Sequence, residues 1–292
     1  MNATAFLRTR PRPVLSKKLK LFLAATIAAV AMVVFAPHAI AAPVIYVVTS
    51  NQQFGMVDLA TGEFHQIGAG TPEPLANLVW APHGFLLSLS VSGNLDRIDP
   101  ATGEVSVIGQ TGLGGNAFDL AEARGRLYAT DLSNNIYSVD PESGAATFLR
   151  ITGIPADPAH PFSSNSDGTI NLCDEGLYAV NGNLYATFDA FTLNPSNLVL
   201  TPTVSPALYR IDPSTGAASF VANTILNLGS TVEVRGRFYG FKWVTLSFTD
   251  LGPQLQSQLF TLDLATGQTK FIRNIDGAAA GIMGAVPLRR PW

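Results

Sequence analysis

Four side chains in this sequence are of the kind that could hold a metal ion or act on a substrate: Asn77, Asp119, Asp174 and Glu175. Each stands six to eight residues before a recurring Gly: Gly84 for Asn77, Gly125 for Asp119 and Gly182 for the other two. Aligning the chain on these and on Gly236 brings Asn77–Leu78, Phe118–Asp119, Glu175–Gly176 and Gly229–Ser230 to one level. A ring of carboxylate and amide oxygens is what Ca²⁺ takes as ligands, and it would serve a metal-dependent hydrolase or lyase by polarising the bond to be cleaved. The competing reading is a set of solvated acids that end strands. Ca²⁺ is the only cofactor this pattern suggests, and otherwise none is expected.

The remaining reactive residues form no recognisable set. His65, His83 and His160 fall in different sequence contexts with no metal-ligand spacing, so they read as solvated or packed imidazoles. Cys173 is the single cysteine and reads as a small buried apolar residue. No G-x-S-x-G, H-E-x-x-H or phosphate-binding Gly loop occurs. Trp243 opens an expected loop, where an indole could be a ligand platform or could be packed between structural units. With Asp119 and Glu175 it makes up the candidate ligand-binding set, and both readings of Trp243 stand.

The N-terminus bounds where such a site would work. Arg8, Arg10, Arg12, Lys17, Lys18 and Lys20 precede an uncharged apolar run of 16 residues, Leu21–Ala36, followed by Ala39-Ile40-Ala41. That order predicts a secretory signal over 1–41 and a secreted or periplasmic product. The run is shorter than the roughly 20 residues a spanning helix needs, so membrane attachment would require an uncleaved signal. Removing 1–41 leaves 12 basic against 21 acidic side chains, a net charge of −9, and no basic patch for nucleic acid. Residues 42–292 are enough for one large domain.

The elements that must position these residues repeat five times. LDRIDPATGEVSVIG (95–109) has copies in FGMVDLATGEFHQIG, IYSVDPESGAATFLR, LYRIDPSTGAASFVA and LFTLDLATGQTKFIR. Each is an apolar run, an Asp-to-Gly turn and a second apolar run, which is a hairpin; the Asp side chain caps the turn and Gly closes it with a positive φ. RGRLYATD, NGNLYATFD and RGRFYGFK add a strand before three of the hairpins, HGFLLSLS and VIYVVTS are looser versions, and LANLVW, NAFDLA, GLYAV and STVEV add another. Tyr128, Tyr185 and Tyr239 fall at equivalent core positions of that added strand. The unit is therefore four antiparallel strands, and the repeat predicts an all-β, five-bladed β-propeller. The first copy lacks its innermost strand and AGIMGAVP (280–287) is left over, so a C-terminal strand is expected to complete the first blade and close the ring.

The "LYxIDPxTGxxxxI" unit resembles the repeat of secreted bacterial β-propellers, a largely uncharacterised family, over essentially the whole of 42–292. The resemblance implies the fold and leaves activity open. Quinoprotein dehydrogenases have a similar "LYALDxxTG" blade, but this chain lacks the Trp that ends their repeat and has too few blades. Secreted glutaminyl cyclases share the five-bladed plan, but their channel motifs are not found here.

Three long segments, Ile151–Asn171, Ala190–Pro206 and Trp243–Ser257, fall at the ends opposite the tight turns and on adjacent blades. They are expected to be loops that make the binding face. The sequence thus favours a binding or scaffold propeller holding a glycan, peptide or protein on blades four and five. The alternatives are the channel-mouth hydrolase or lyase and a structural surface or matrix protein.

Overall fold

In the computed structural model, residues 43–288 are described, apart from 82–83, 132, 155–163, 198, 250–251 and 278–280. The expected signal, His83 and His160 therefore lie outside the described residues. No helix among the described residues is long and apolar enough to cross a membrane.

Five four-stranded antiparallel sheets follow one another along the chain. The first contains β1 (Val44–Thr49), β2 (Phe54–Asp58) and β3 (Phe64–Gln66). The second runs from β4 (Leu75–Trp80) through β5 (Leu86–Ser90) and β6 (Asn94–Ile98) to β7 (Val105–Gln110). The third is β8 (Ala117–Ala123), β9 (Arg126–Asp131), β10 (Asn135–Val139) and β11 (Ala146–Ile151). The fourth is β12 (Ile170–Val180), β13 (Asn183–Asn194), β14 (Val199–Ile211) and β15 (Ala218–Asn223). The fifth is β16 (Ser230–Val234), β17 (Arg237–Thr249), β18 (Gly252–Leu262) and β19 (Thr269–Asn274). The last strand, β20 (Ile282–Pro287), pairs with β1 from Ile45↔Pro287 to Thr49↔Ile282 and completes the first sheet.

The inner strands β20, β4, β8, β12 and β16 neighbour one another in that order, and β16 returns to β20. The molecule is a five-bladed β-propeller closed by its C-terminal strand, as the repeat predicts. Closure removes the open inner edge that blade 1 would otherwise expose.

All five outer hairpins turn as expected. The Asp58, Asp99, Asp140, Asp212 and Asp263 carboxylates each accept the backbone N–H two residues on, at 2.7–2.8 Å. The closing Gly62, Gly103, Gly144, Gly216 and Gly267 all have φ between +70° and +82°. Between blades the packing is apolar: Phe54, Leu86 and Ile98 join blades 1 and 2, and Phe188, Ile136 and Ile211 join blades 3 and 4. Tyr128 and Tyr239 are buried as expected, while Tyr185 is half-buried and stacks on Tyr178.

Candidate functional site

A cavity of about 250 Å³ runs down the axis, lined by three residues from each inner strand: 78–80, 120–122, 177–179, 231–233 and 285–287. One level further, toward the face opposite the Asp-to-Gly turns, it is crossed by polar side chains. Asn77 donates its amide to one oxygen of Asp119 and, at 3.2 Å, to the carbonyl of Leu177. The Leu177 N–H donates to the other Asp119 oxygen at 2.8 Å. Asn77 and Asp119 are 5 % and 3 % exposed, so this network ties blades 2, 3 and 4 together inside the protein. Blade 1 meets it through Gly284, where an added Cβ would lie 2.4 Å from the Asn77 backbone.

Two of the four predicted acid and amide residues, Asn77 and Asp119, are thus brought together. Both oxygens of Asp119 act as acceptors of protein N–H groups, so the geometry gives this carboxylate a tying role. Asp174 and Glu175 lie in β12, with backbones opposite Asp189 and Phe188. Their side chains, and that of Cys173, lie outside the described residues. The residue level with Asp119 on blade 4 is Gly176, opposite Thr187 as Asp119 is opposite Thr130. Alignment on the glycines alone puts Asn77 level with Phe118 and Glu175, because it cannot see that the β4–β5 connection is one residue longer than its equivalents: Trp80 pairs with Leu86 where Glu122 pairs with Leu127 and Ala179 with Leu184. Asn77 sits in a bulge between Ala76 and Val79 with φ 55°. Among the described residues, no group of three or more His, Cys, Asp or Glu could hold a metal ion.

The face these residues approach differs from the sequence reading in one respect. Ala190–Pro206 and Trp243–Ser257 are mostly strand, where loops were expected. β13 and β14 stay paired out to Asn194↔Val199, and β17 and β18 out to Thr249↔Gly252. β12 accompanies β13 from Ile170↔Leu193. The physical reason is composition: both segments are rich in Thr, Val, Leu and Phe, which favour a pleated surface, and the register simply continues. Blades 4 and 5 therefore carry sheet that extends past the pairing of their outer strands β15 and β19, which ends at Ala207 and Gln258. Residues 190–206 have no charged side chain, and 243–257 have only Asp250. Of the third segment, Ile151 ends β11 and Ile170–Asn171 begin β12, while 155–163 lie outside the described residues.

Trp243 lies within β17 and is half-buried. Its Nε1–H donates to the Ile282 carbonyl at 2.9 Å, and the ring lies flat against Gly281, where an added Cβ would be 2.8 Å from it. Ser257, its cross-strand partner, accepts the Ile282 N–H on Oγ at 2.7 Å. Blade 5 thus grips both backbone groups of the first residue of the closing strand.

Between blades 4 and 5, Asp189 accepts an amide hydrogen of Asn227 at 3.0 Å. Burial raises its carboxyl above the ordinary range, opposed by the Asn227 hydrogen bond and the positive charge of Lys242. Asp131 ends β9 and accepts from Ser133 N–H, Asn135 N–H, the Asn135 amide and the Tyr137 hydroxyl, all at 2.8–3.0 Å. Neither stands among the candidates of the sequence; the available signal was an Asp that follows Tyr-Ala-Thr directly in RGRLYATD and one residue later in NGNLYATFD.

No known protein family matches the chain, and no curated protein matches it. Among solved structures, it is similar to a structural-genomics protein of unknown function from Bacteroides thetaiotaomicron, with TM-score 0.47 and 12% identity over 83% of this chain and 60% of that one. It is also similar to the dihydro-heme d1 dehydrogenase NirN in complex with DHE, with TM-score 0.33 and 12% identity over 80% and 53%. The chain spans less than two thirds of either protein.

Proposed function

We propose that this protein is an exported binding or scaffold propeller that holds a glycan, peptide or protein on the extended sheets of blades 4 and 5. One observation carries the reading: among the described residues, only these blades prolong their middle strands, to Asn194↔Val199 and Thr249↔Gly252, on the face opposite the tight turns. Trp243 and Ser257 at the base of the blade 5 extension hold β20, and the sheet beyond them has a use if it meets a ligand. The near absence of charge on both extensions favours an uncharged ligand, recognised by hydroxyl, amide and apolar contacts rather than by electrostatics. Export rests on the basic-then-apolar pattern of 1–41.

The test replaces 192–201 in one variant and 245–255 in another with Asn-Gly turns, which suit two-residue hairpins. Both variants and the parent are then applied to glycan and peptide arrays. The variants should stay folded and lose the parent's hits. Hits that survive both trims, or a parent that binds nothing, would count against the reading.

A further inference from the structure

Blades 4 and 5 meet around the connection between β15 and β16. Thr187 Oγ1 donates to the Leu228 carbonyl at 3.1 Å from one side, and an added Cβ on Gly240 would lie 2.4 Å from the Leu228 side chain on the other. Alternate residues of a strand share a face, so Asp189, two on from Thr187, faces this seam from β13, and Lys242, two on from Gly240, faces it from β17. Asn227, which has no exposed surface, donates its amide to Asp189 Oδ1 at 3.0 Å. The pairing of β13 with β14 shifts between Phe188 and Ala190, a bulge at Asp189 itself, and bulges re-aim side chains beside functional sites.

The prolonged hairpins start from these two residues. β13 runs on from Asp189 to Asn194, and β17 runs on from Lys242 to Thr249. An acid and an ammonium group thus stand at the base of extensions whose own sequences, 190–206 and 243–257, hold no charge except Asp250. Asp189 keeps 8 % of its surface exposed, and among the described residues nothing donates to its Oδ2. A carboxylate fixed through one oxygen offers the other as an acceptor, and an ammonium has three hydrogens to give.

We propose that Asp189 anchors a neutral glycan between the extensions of blades 4 and 5, with Oδ2 accepting a sugar hydroxyl, Lys242 donating to a neighbouring one, and Asn227 orienting the carboxylate. This rests on the assignment of the binding face to those extensions. Neighbouring hydroxyls each donate and accept, which suits an acceptor and a donor set side by side, and a carboxylate with an ammonium favours neither ionic sign. The prolonged edges are poor templates for an extended peptide: β14 carries Pro202 and Pro206 and β18 carries Pro253, and proline has no N–H for a ladder.

The test applies the parent, Asp189→Asn and the two trimmed variants to neutral gluco-, manno- and galacto-oligosaccharides, to sialylated and sulfated oligosaccharides, and to a peptide array. The Asn side chain still accepts the Asn227 amide, so the seam stays tied while the carboxylate is gone. The parent should bind neutral oligosaccharides. By titration calorimetry with the strongest of them, Asp189→Asn should lose about ten- to hundredfold in affinity at an unchanged urea midpoint, because hydrogen bonds to a charged group are the strong ones. If that variant does not fold, Lys242→Gln should show the same loss. A folded Asp189→Asn (or, in its place, Lys242→Gln) that keeps the parent's affinity reduces Asp189 to a tie for the β15–β16 connection and overturns the anchor. Hits confined to peptides or charged glycans, and lost on trimming, overturn the glycan while the binding face stands. Hits that survive both trims, or no hits for the parent, remove the face and the anchor together.

Discussion

Replacing Trp243 by Phe separates its two readings. The substitution keeps a ring over Gly281 but removes the Nε1–H that reaches Ile282, a residue with no exposed surface. A buried carbonyl left without its donor costs about 1–2 kcal/mol, and the smaller ring gives up roughly 1 kcal/mol of apolar contact. The sum, about 2–3 kcal/mol, corresponds to a fall in Tm of roughly 4–12 °C for a domain of this size. Urea unfolding should show the loss at unchanged slope, and hydrogen exchange should speed first along Ile282–Pro287, because the grip lies at the start of β20. A ligand platform behaves differently: binding is lost and the ring is as stable as before. A Trp243→Phe protein within about 0.5 kcal/mol of the parent, with unaltered exchange in β20, would refute the grip.

Gly284→Ala should destabilise by at least about 2 kcal/mol in urea, since its Cβ would fall 2.4–2.8 Å from three backbone atoms of Asn77 and force blades 1 and 2 apart. Asp119→Ala leaves the Leu177 N–H and the Asn77 amide with buried, unmatched hydrogens, so a loss of about 2–4 kcal/mol is expected by the same assay. The turn carboxylates Asp140, Asp212 and Asp263 titrate below the usual range, the first and third chiefly through backbone N–H donors and Asp212 chiefly through the Ser214 hydroxyl. Their contribution is present above the unfolded value and lost as pH falls through the folded one. A carboxyl titration followed by NMR should place all three below an unfolded Asp and Asp189 above it.

The fold was readable because its signals are local. An Asp whose oxygen caps the next turn and a Gly at positive φ fix each hairpin within six residues, and five copies fix the ring. Ring closure was readable from what blade 1 lacked. The site was less so, for two reasons. One extra residue between β4 and β5 shifts the inner strand of blade 2 by one, and a single insertion beside a turn leaves little mark in a single sequence. The segments after Asp189 and Lys242 looked like loops because they interrupt the repeat spacing. Their Thr, Val and Phe content favours strand, so composition and the broken spacing point in opposite directions there.

A repeat protein contains its own comparison set, and the deviations within it sort by cause. Thr49, Ser90 and Asp131 end the strands that stand second from the axis in blades 1, 2 and 3. Asp131 is fully paired by the turn that follows it, and Thr49 Oγ1 accepts the Gln53 N–H at 3.2 Å, so their polarity serves turn capping. Asn77, Asp119 and Gly284 depart from their equivalents where five inner strands must converge, and their departures answer one another in direct contact. The long hairpins of blades 4 and 5 divide in the same way. Ala190 and Val204 pack into the core shared with blade 3, and Trp243 and Ser257 hold β20, so the bases of both hairpins answer to the ring. Their outer parts, which end at Asn194↔Val199 and Thr249↔Gly252, run past those residues, and the binding face is assigned to them.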